Sequence, residues 1–377
     1  MQIQKDYSVM IHHCLTESYY SKGGGVQTYV NSLVNHRPAD VSERILHSIT
    51  NIDQSQFKLL HLHDRDLLCE LRDECAAIYT LHNHDTYCPS GTKHFETSGT
   101  CCNRQMSLTA CMWGQLIGGC GSRRPQNAIS NIKRAMYERD MLLKTNVPII
   151  ANSDYVRLQL IKNGVHPQQV TTLHCGIGAP SVAVEPLTSK IHQNQRLLFV
   201  GRIVPRKGLG WLIKALAKTS SSIQLDIAGD GWGRLSVEKL INQLGLNHRV
   251  IWHGWCSSEK LEQLYQECFA VVFPSLWPEP AGLVTLEANA RYRPIIASLS
   301  GGIPEYVCAN QTGLLVSRNH TDELAEAIIE LAQNYQKARQ LGEHGYEWYL
   351  KKFTVETHIQ QLQMIYEKVI KKFEYEH

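Results

Sequence analysis

The chain has 377 residues, of which 43% are hydrophobic and 19% are charged, a balance typical of a folded globular protein. Its 38 basic and 35 acidic side chains give a net charge of +3, which is too small to predict a nucleic-acid binder. No apolar run approaches the roughly 18 residues of a membrane-spanning helix, and the N-terminal residues lack the pattern of a secretory signal. We therefore expect a cytoplasmic protein of two domains with reduced cysteines.

The first half of the chain alternates short apolar runs with patterns of helical spacing. Strands are predicted at residues 8–14, 57–62, 76–81 and 148–151, and helices at residues 26–34 and 128–143. A glycine-rich turn at residues 22–25 follows the first strand. This alternation is typical of a mainly parallel sheet with helices on both faces.

A polar stretch rich in proline and serine, residues 180–195, is predicted to link two domains. After it, strands are predicted at residues 196–200, 224–228, 250–253, 270–273, 294–297 and 314–316. Helices are predicted at residues 210–218, 236–244, 258–266, 284–290 and 321–335, with a last helix at residues 346–373. We expect the N-terminal domain over residues 1–185, the C-terminal domain over residues 190–345, and a ligand in the cleft between them.

Two glutamates separated by seven residues form the most informative motif. Glu279 lies in a proline-rich loop and Glu287 lies in the helix predicted to follow it. If that helix begins near Gly282, the amides of Gly282, Leu283 and Val284 face a bound phosphate. Glu287 then lies one turn further along the same face, where its carboxylate can accept hydrogen bonds from hydroxyl groups. The alternative interpretation is a helix with one capping and one surface carboxylate.

A second motif places cations directly after the first strand of the second half. They are Arg202, Arg206 and Lys207, and they follow Gly201. Ligands of parallel sheets bind beyond the carboxyl ends of the strands, so Arg202 and Lys207 are predicted to hold a diphosphate. Their charges would stabilise it as a leaving group without a metal ion. For Arg206 a solvated surface position is the favoured interpretation.

Two other patterns suggest metal binding but favour a structural interpretation. The Asp-Arg-Asp triplet at residues 64–66 precedes an apolar helical segment and is predicted to cap it. His61, His63, His82 and His84 suggest a zinc site. However, we expect alternate histidines at strand ends to point to opposite faces of the sheet.

The two main motifs resemble those of the family-4 retaining glycosyltransferases, which have the GT-B fold. The family signature E-P-x-G-L-x-x-L-E-A matches residues 279–288, with Ala281 where phenylalanine is commoner. The family motif G-R-x3-4-K-G matches residues 201–208. A strand end at residues 227–231 and a turn at residues 300–305 resemble two further motifs of this family.

The N-terminal half carries weaker parts of the same resemblance. Gly24 and Gly25 resemble the family's glycine-rich acceptor loop. Residues 80–89 resemble a subgroup pattern, L-H-[DN]-x4-C-P, which makes His82 the active-site histidine. His84 and the aspartate after it stand where the family often has an aromatic pair.

The resemblance implies two Rossmann-like domains that face each other across a cleft, with a C-terminal helix at residues 350–377 crossing back to the N-terminal domain. It implies that Arg202 and Lys207 hold the diphosphate, that Glu279 contacts the donor sugar and that Glu287 contacts the ribose. His82, Glu279, Arg202 and Lys207 are the implied catalytic residues. The implied residues of the nucleotide-sugar site are Gly24, Gly25, Gly201, Arg202, Lys207, Gly229, Gly254, Trp255, Glu279, Ala281, Gly282, Leu283, Val284 and Glu287.

The implied reaction transfers a sugar, with retention of the anomeric configuration, from a UDP-sugar to a saccharide or lipid-linked saccharide in exopolysaccharide synthesis. UDP-glucose is the first candidate donor and UDP-N-acetylglucosamine the second. We expect no metal ion, no other cofactor and no nucleic-acid partner, and peripheral contact with the inner face of the plasma membrane is compatible with the sequence. Two alternatives stay open: a nucleotide-sugar epimerase of the same architecture, and a catalytically silent partner protein that senses metal or redox state.

Five cysteines lie in a segment rich in glycine, serine and threonine, residues 86–124, which we expect to border the acceptor site. They are Cys88, Cys101, Cys102, Cys111 and Cys120. Their spacing is unlike that of a paired CxxC zinc site. Reduced packing thiols are the favoured interpretation, and a structural metal or a disulfide stays open.

Overall fold

The computed structural model describes residues 9–17, 25–37, 41–50, 53–54, 57–72 and 74–376, which divide into two compact units. The first unit takes in the chain up to Thr92, residues 104–178 and the stretch from Val355 onwards. The second unit takes in residues 93–103 and 179–354. Residues 93–103 therefore belong with the second unit, although the predicted N-terminal domain included them.

The strands of the described chain are β1 Val9–Cys14, β2 Val41–Leu46, β3 Leu59–Leu62, β4 Ala76–Leu81, β5 His94–Phe95, β6 Thr100–Cys101, β7 Ile149–Ala151, β8 Val170–Thr172, β9 Arg196–Val200, β10 Gln224–Ala228, β11 Val250–Gly254, β12 Ala270–Phe273, β13 Ile295–Ser298 and β14 Gly313–Val316. Its α-helices are α1 Gly25–Asn35, α2 Leu108–Leu116, α3 Pro125–Lys144, α4 Asp154–Lys162, α5 Ser189–Gln193, α6 Leu209–Leu216, α7 Arg234–Gln243, α8 Ser258–Glu267, α9 Leu283–Asn289, α10 Thr321–Gln333, α11 Tyr335–Lys352 and α12 Val355–Glu376. None of these helices is long and apolar enough to cross a bilayer.

The first unit contains a six-stranded sheet in the order β2-β1-β3-β4-β7-β8, in which all neighbours are parallel. Residues two apart along a strand share a face, so Ile11 and Ile78 lie on one face while Leu60 and Tyr79 lie on the other. Each face contributes to its own apolar core. The strand order reverses at β1, and the His63 amide directly after β3 donates to the carbonyl oxygen of Cys14, the last residue of β1, at 2.8 Å.

Helix α12 covers the face of the first sheet that carries Ile11 and Ile78. Its buried residues Ile359, Leu362 and Tyr366 recur at helical spacing and share one apolar core with those strand residues. The return of the C-terminal helix to the first unit is therefore confirmed.

The last helical segment differs from the prediction in one respect. A single helix was expected at residues 346–373, but α11 ends at Lys352 and α12 begins at Val355. The buried ring of Phe353 packs near those of Tyr306 and Trp348, and the Val355 amide donates to the carbonyl oxygen of Ile177 at 2.9 Å. These tertiary contacts interrupt the helix at the point where the chain passes from one unit to the other.

The second unit contains a six-stranded parallel sheet in the order β11-β10-β9-β12-β13-β14. The strand order reverses between β9 and β12, which is the usual place for a ligand in a doubly wound sheet. The apolar cores on its two faces include Leu197 and Phe199 on one side and Leu198 and Val271 on the other. The fold class predicted from the alternation of strands and helices is therefore confirmed, because both sheets are parallel and α/β.

Candidate functional site

Three glycines lie together at the carboxyl ends of neighbouring strands in the second sheet. Gly201 follows β9, Gly229 follows β10 and Gly254 ends β11. The Gly201 amide donates to the carbonyl oxygen of Ala228 at 3.0 Å, and the Gly229 amide donates to that of Gly254 at 2.7 Å. A Cβ atom on Gly229 would lie 2.0 Å from the carbonyl oxygen of Gly201, so a larger residue could not fit here.

The loops that follow β9 and β12 are joined by close backbone contacts. The Leu276 amide donates to the carbonyl oxygen of Arg206 at 2.8 Å. Gly208 has φ +76°, and a Cβ atom there would lie 1.7 Å from the carbonyl oxygen of Pro274. Only glycine allows the two loops to approach this closely. The approach brings together two side chains that the sequence predicts to be site residues, a cation of the loop after β9 and a carboxylate of the loop after β12.

That cation and carboxylate are Lys207 and Glu279, which form a buried ion pair. Lys207 Nζ donates to Glu279 Oε1 at 2.6 Å, and Ser275 Oγ donates to the same oxygen at 2.6 Å. Glu279 is only 5% exposed, so its carboxylate depends on these two donors. Its other oxygen, Oε2, has no hydrogen-bond partner among the residues that the structure describes. One carboxylate oxygen is therefore held and the other remains an acceptor.

The two arginines of the loop after β9 have different surroundings. Arg202 is exposed to solvent. Arg206 lies 3.9 Å from the carboxylate of Glu96 and 5.7 Å from the centre of the Trp277 ring, with only 21% of its side chain exposed. Burial, and after it the charge of Arg202, lowers the pKa of Arg206. The predicted solvated position of Arg206 is therefore wrong, because Glu96 and Trp277 enclose its guanidinium group.

Glu287, the second glutamate of the motif, is held by Tyr265 of helix α8. The Tyr265 hydroxyl donates to Glu287 Oε2 at 2.8 Å, and the Arg291 guanidinium donates to the backbone carbonyl of Glu287 at 2.9 Å. Burial raises the pKa of the Glu287 carboxyl, and the hydrogen bond from Tyr265 opposes part of that rise. Within the described ranges, Glu287 Oε1 has no hydrogen-bond partner and remains available to a hydroxyl group.

Helix α9, which carries Glu287, begins without a side-chain cap at Gly282. The alternative interpretation of a capping glutamate is therefore wrong. The first backbone hydrogen bonds of this helix run from Thr285 and Leu286 to the carbonyl oxygen of Gly282. The amides of Leu283 and Val284 belong to the first turn, which has no acceptors of its own.

Two further predicted residues flank these elements. Ala281 is half-buried just before helix α9, and Trp255 directly follows β11 with 72% of its surface exposed. An exposed indole beside Gly254 offers a flat apolar face for a base. The binding roles of both residues stay predictions.

A hairpin from the cysteine-rich segment packs within the second unit. Strands β5 and β6 are antiparallel and pair His94 with Cys101. The Cys101 thiol contacts the Arg318 guanidinium and lies 3.9 Å from the carbonyl oxygen of Leu276, which belongs to the loop after β12. The segment thus reaches the same loops that carry the Lys207–Glu279 pair. All twelve cysteines lie in the described part of the chain, and Cys101 and Cys102 of the hairpin carry free thiols.

In the first unit, His82 directly follows β4. Its Nε2 atom lies 2.9 Å from Nδ1 of His63, and its ring packs edge-on against Tyr29 at 5.1 Å between centroids. Burial, and after it the nearby His358, lowers the pKa of His82 to about 3. Gly25 is the first residue of helix α1, whereas Gly24 lies outside the described residues. The lowered pKa makes His82 a neutral imidazole at physiological pH.

The histidines of the first sheet do not point to opposite faces as expected. His61 and His63 are two residues apart, so they share a face, and their rings lie 4.0 Å apart. His13 of β1 joins them, and one ring nitrogen of each of these three buried histidines lies within 4.8 Å of the others. The expectation about the faces is wrong. His84 lies apart from this group and contacts the Tyr87 hydroxyl at 2.5 Å.

The capping interpretation of the Asp-Arg-Asp triplet is confirmed. The Asp64 side chain accepts a hydrogen bond from the Asp66 amide at 3.1 Å and caps a short 3-10 helix, Arg65–Cys69. Arg134 pairs with Asp66 at 2.7 Å. These carboxylates therefore have structural partners.

Sequence reasoning missed several side chains that hold the candidate site. Ser275 and Tyr265 fix the two glutamates of the motif, and Glu96 faces Arg206 across some hundred residues of sequence. The position of Ser275, four residues before Glu279 at the end of a predicted strand, was a usable signal. Nothing local marked Tyr265 or Glu96, because only the packing of distant segments brings them there.

Residues 188–348 match the family described as "Glycosyl transferases group 1". The uncharacterized glycosyltransferase MJ1607 of Methanocaldococcus jannaschii is 31% identical over 51% of this chain and 49% of its own length. This chain therefore spans about half the length of that relative. The uncharacterized glycosyltransferase MJ1178 of the same organism is 26% identical over 93% of this chain and 96% of its own length.

Among solved structures, Alr3699/HepE of Anabaena in complex with UDP-glucose is similar in fold. It has a TM-score of 0.70 at 18% identity and covers 95% of this chain and 99% of its own. A likeness at this identity concerns the fold alone. Taken with the two six-stranded parallel sheets, it shows that the chain has the GT-B fold, and residues 188–348 of that fold are similar to the glycosyl transferases group 1 family.

Proposed function

We propose that this protein is a metal-independent glycosyltransferase that moves a sugar from a UDP-sugar to a saccharide or lipid-linked saccharide, with retention of the anomeric configuration. UDP-glucose is the first candidate donor, and a role in exopolysaccharide synthesis is the candidate pathway. The buried Lys207–Glu279 pair at the switch point of the second sheet carries this proposal. Support for the donor comes from the similar fold of Alr3699/HepE, which was solved with UDP-glucose.

The cations of the loop after β9 suit a diphosphate leaving group. Lys207 Nζ has three hydrogens and spends one on Glu279, so it can donate two more to phosphate oxygens. Because Glu279 compensates one positive charge, the exposed Arg202 supplies the net charge that a departing UDP requires. Two fixed cations placed where charge develops perform the task that a divalent ion performs in other transferases.

The two glutamates suit hydroxyl groups on either side of that diphosphate. Glu279 Oε2 is the unpaired acceptor in a buried carboxylate, and we assign it to a hydroxyl of the donor sugar. Glu287 Oε1 is the corresponding acceptor on helix α9, and we assign it to the ribose. Gly201, Gly229 and Gly254 leave room at the strand ends for the nucleotide to approach the backbone.

His82 of the first unit is assigned to the sugar and not to the nucleotide. A neutral imidazole with a strongly lowered pKa is a poor proton store at neutral pH, so it orients a hydroxyl group and does not act as the base. We propose that the leaving phosphate oxygen takes the proton of the attacking hydroxyl. No side chain of the site is then needed as a covalent nucleophile.

The test is release of UDP from purified protein given UDP-glucose, UDP-N-acetylglucosamine or GDP-mannose, with and without a polyprenyl-linked saccharide. Acceptor-dependent UDP release with one UDP-sugar supports the proposal, and its persistence in excess EDTA supports the cationic clamp. Conversion of the donor without UDP release would indicate an epimerase. Absence of any turnover with preserved UDP binding would indicate a catalytically silent protein.

A further inference from the structure

A continuous chain of hydrogen-bonded side chains runs through the first unit and ends at His82. His13 Nε2 lies 3.2 Å from Glu43 Oε2, His13 Nδ1 lies 2.9 Å from His63 Nε2, and His63 Nδ1 lies 2.9 Å from His82 Nε2. His13 and His63 are buried, and only 5% of the Glu43 side chain is exposed. We call these four residues, Glu43, His13, His63 and His82, the histidine chain.

The parallel register of three strands aligns this chain on one face of the first sheet. Ile11 of β1 is the partner of Glu43 on β2, so His13, two residues further, is the diagonal neighbour of Glu43. His13 is the register partner of His61 on β3, and His63 follows on the same face. The chain is therefore a consequence of sheet topology and not of a local motif.

The Glu43 carboxylate can only accept a hydrogen bond, and this determines which nitrogen of each ring carries the hydrogen. In a neutral imidazole, one nitrogen donates and the other accepts. The Glu43 carboxylate accepts from His13 Nε2, so in a neutral His13 ring Nδ1 is bare and accepts from His63 Nε2. His63 Nδ1 is then bare and accepts from His82 Nε2. The last nitrogen, His82 Nδ1, is left without a hydrogen.

We propose that Glu43, His13 and His63 are positioning residues that fix the tautomer of His82, so that its Nδ1 atom is a hydrogen-bond acceptor for a sugar hydroxyl. His82 is partly exposed, and no residue in the described part of the chain occupies Nδ1. The hydroxyl role rests on the function proposed above, whereas the tautomer does not depend on it.

Burial and the neighbouring groups keep the rings of His63 and His82 uncharged. Titratable side chains beside the histidine chain include Tyr29 of α1, His61 of β3 and His358 of α12, and Tyr366 of α12 packs against His61. Burial lowers the pKa of His63 and His61 well below the usual value, and the neighbouring histidines lower it further. Burial also raises the pKa of Tyr29 and Tyr366, so both hydroxyls stay protonated.

The hydrogen bonds favour this network over a metal site at His13, His61 and His63. His61 Nδ1 lies 2.6 Å from the Tyr366 hydroxyl and Nε2 lies 2.6 Å from the Thr80 hydroxyl, so both of its nitrogens are occupied. The 2.9 Å between His13 and His63 is hydrogen-bond spacing. Two imidazoles on one tetrahedral zinc ion stand about 3.3 Å apart, given Zn–N bonds of roughly 2.0 Å.

Nitrogen-15 NMR of protein labelled in the histidine rings tests the chain directly. We expect couplings between nitrogens across two N–H···N bonds, one joining His63 to His82 and one joining His13 to His63. The resonances of His82, assigned by their loss in His82→Gln, should show hydrogen on Nε2 and none on Nδ1. A hydrogen on His82 Nδ1 would mean that His13 is the charged ring, and it would overturn the proposal. A stoichiometric zinc ion in the purified protein would also overturn it.

Glu43→Gln is the decisive variant, because an amide can either donate to or accept from His13 and no longer selects one tautomer. We expect mixed protonation at His82 and a roughly three- to tenfold loss of turnover with unchanged affinity for UDP. The matched control is Tyr366→Phe, which removes a buried hydroxyl that is hydrogen-bonded to His61 and to none of the four residues of the histidine chain. Tyr366→Phe should keep both couplings. If it lost them as Glu43→Gln does, the couplings would depend on general packing of the first unit and not on Glu43, which would contradict the proposal.

The two proposals fail in different ways. Intact couplings together with normal turnover of His82→Ala would refute the sugar-binding role of His82 and leave the tautomer assignment standing. Absent couplings in the wild-type protein, together with an inactive His82→Ala, would refute the histidine chain and leave the catalytic role of His82 standing.

Discussion

The second unit builds its candidate site from opposite charges, whereas the first unit builds its own from neutral rings. Lys207 and Glu279 form an ion pair at 2.6 Å, with Ser275 as a further donor. Burial lowers the pKa of both His63 and His82, and a hydrogen bond joins the two neutral rings. Under the proposed function the difference suits two tasks: a departing diphosphate needs fixed positive charge, and a sugar hydroxyl needs an oriented acceptor.

The largest effect is expected when the Lys207 cation is removed from the charged site of the second unit. Lys207→Ala should lower turnover by a hundredfold or more, because the departing diphosphate loses a preorganised donor and Glu279 loses its partner. Steady-state kinetics with the active donor measure the effect, and Lys214→Ala, an exposed lysine of helix α6, is the matched control. Near-normal turnover of Lys207→Ala would place the diphosphate elsewhere.

Removal of the neutral ring should affect turnover and nucleotide binding unequally. His82→Ala should lower turnover on the order of thirtyfold and leave the UDP dissociation constant almost unchanged, because UDP is assigned to the second unit. Calorimetry with UDP alongside kinetics gives both values. An equal loss in the two quantities would contradict the assignment of His82 to the sugar.

The buried histidines should also make the first unit sensitive to acid. Burial lowers the pKa of His358 to about 4, against 6.5 in the unfolded chain, so its stabilising contribution is present above pH 6.5 and is lost as the pH falls towards 4. Between pH 7 and pH 5 this one histidine should cost about 2 kcal/mol of unfolding free energy.

Denaturant unfolding at the two pH values, compared with His358→Gln, measures that cost. Glutamine can keep partners at Tyr29 and at the carbonyl of His174 without titrating, so the variant should lose less stability on acidification. His248→Gln, at an exposed histidine of the second unit, is the control and should leave the pH dependence unchanged. An unchanged slope in His358→Gln would show that this ring is not neutral in the folded protein.

The smallest effect is expected for Glu287, which is assigned to the ribose of UDP. Glu287→Gln keeps the shape of the side chain but weakens a charge-assisted hydrogen bond, so UDP should bind about tenfold more weakly with the fold intact. Because burial raises the pKa of Glu287, the wild-type affinity should start to fall at a higher pH than for an ordinary glutamate. Titration calorimetry of both proteins from pH 7 to pH 5 tests this, and an unchanged affinity of Glu287→Gln would exclude the ribose contact.

Prediction from sequence worked best for structural elements that depend on neighbouring residues. The strands at residues 76–81, 196–200, 224–228 and 270–273 have the predicted bounds, because central strands of parallel sheets are continuous apolar runs. The edge strands β2 and β8 were missed, since Val41–Leu46 and Val170–Thr172 carry polar side chains that break the apolar pattern.

The motif around Glu279 and Glu287 could be found in the same way, because a loop and the helix after it are contiguous in the chain. Of the contacts that these carboxylates make, only that of Ser275, four residues before Glu279, is local in sequence. Tyr265 of helix α8 and Lys207 of the loop after β9 meet the carboxylates only through tertiary packing.

The sequence by itself determined the α/β class, the central strands and the residue types of the candidate site in the second unit, since each depends on local periodicity and on chemistry within a few residues. Only the tertiary structure decided that residues 93–103 belong to the second unit, that Arg206 is enclosed, and that the histidines of three strands form one network. The physical reason is register: side chains on one face of a sheet become neighbours through strand pairing, and strand pairing joins residues that are distant in sequence.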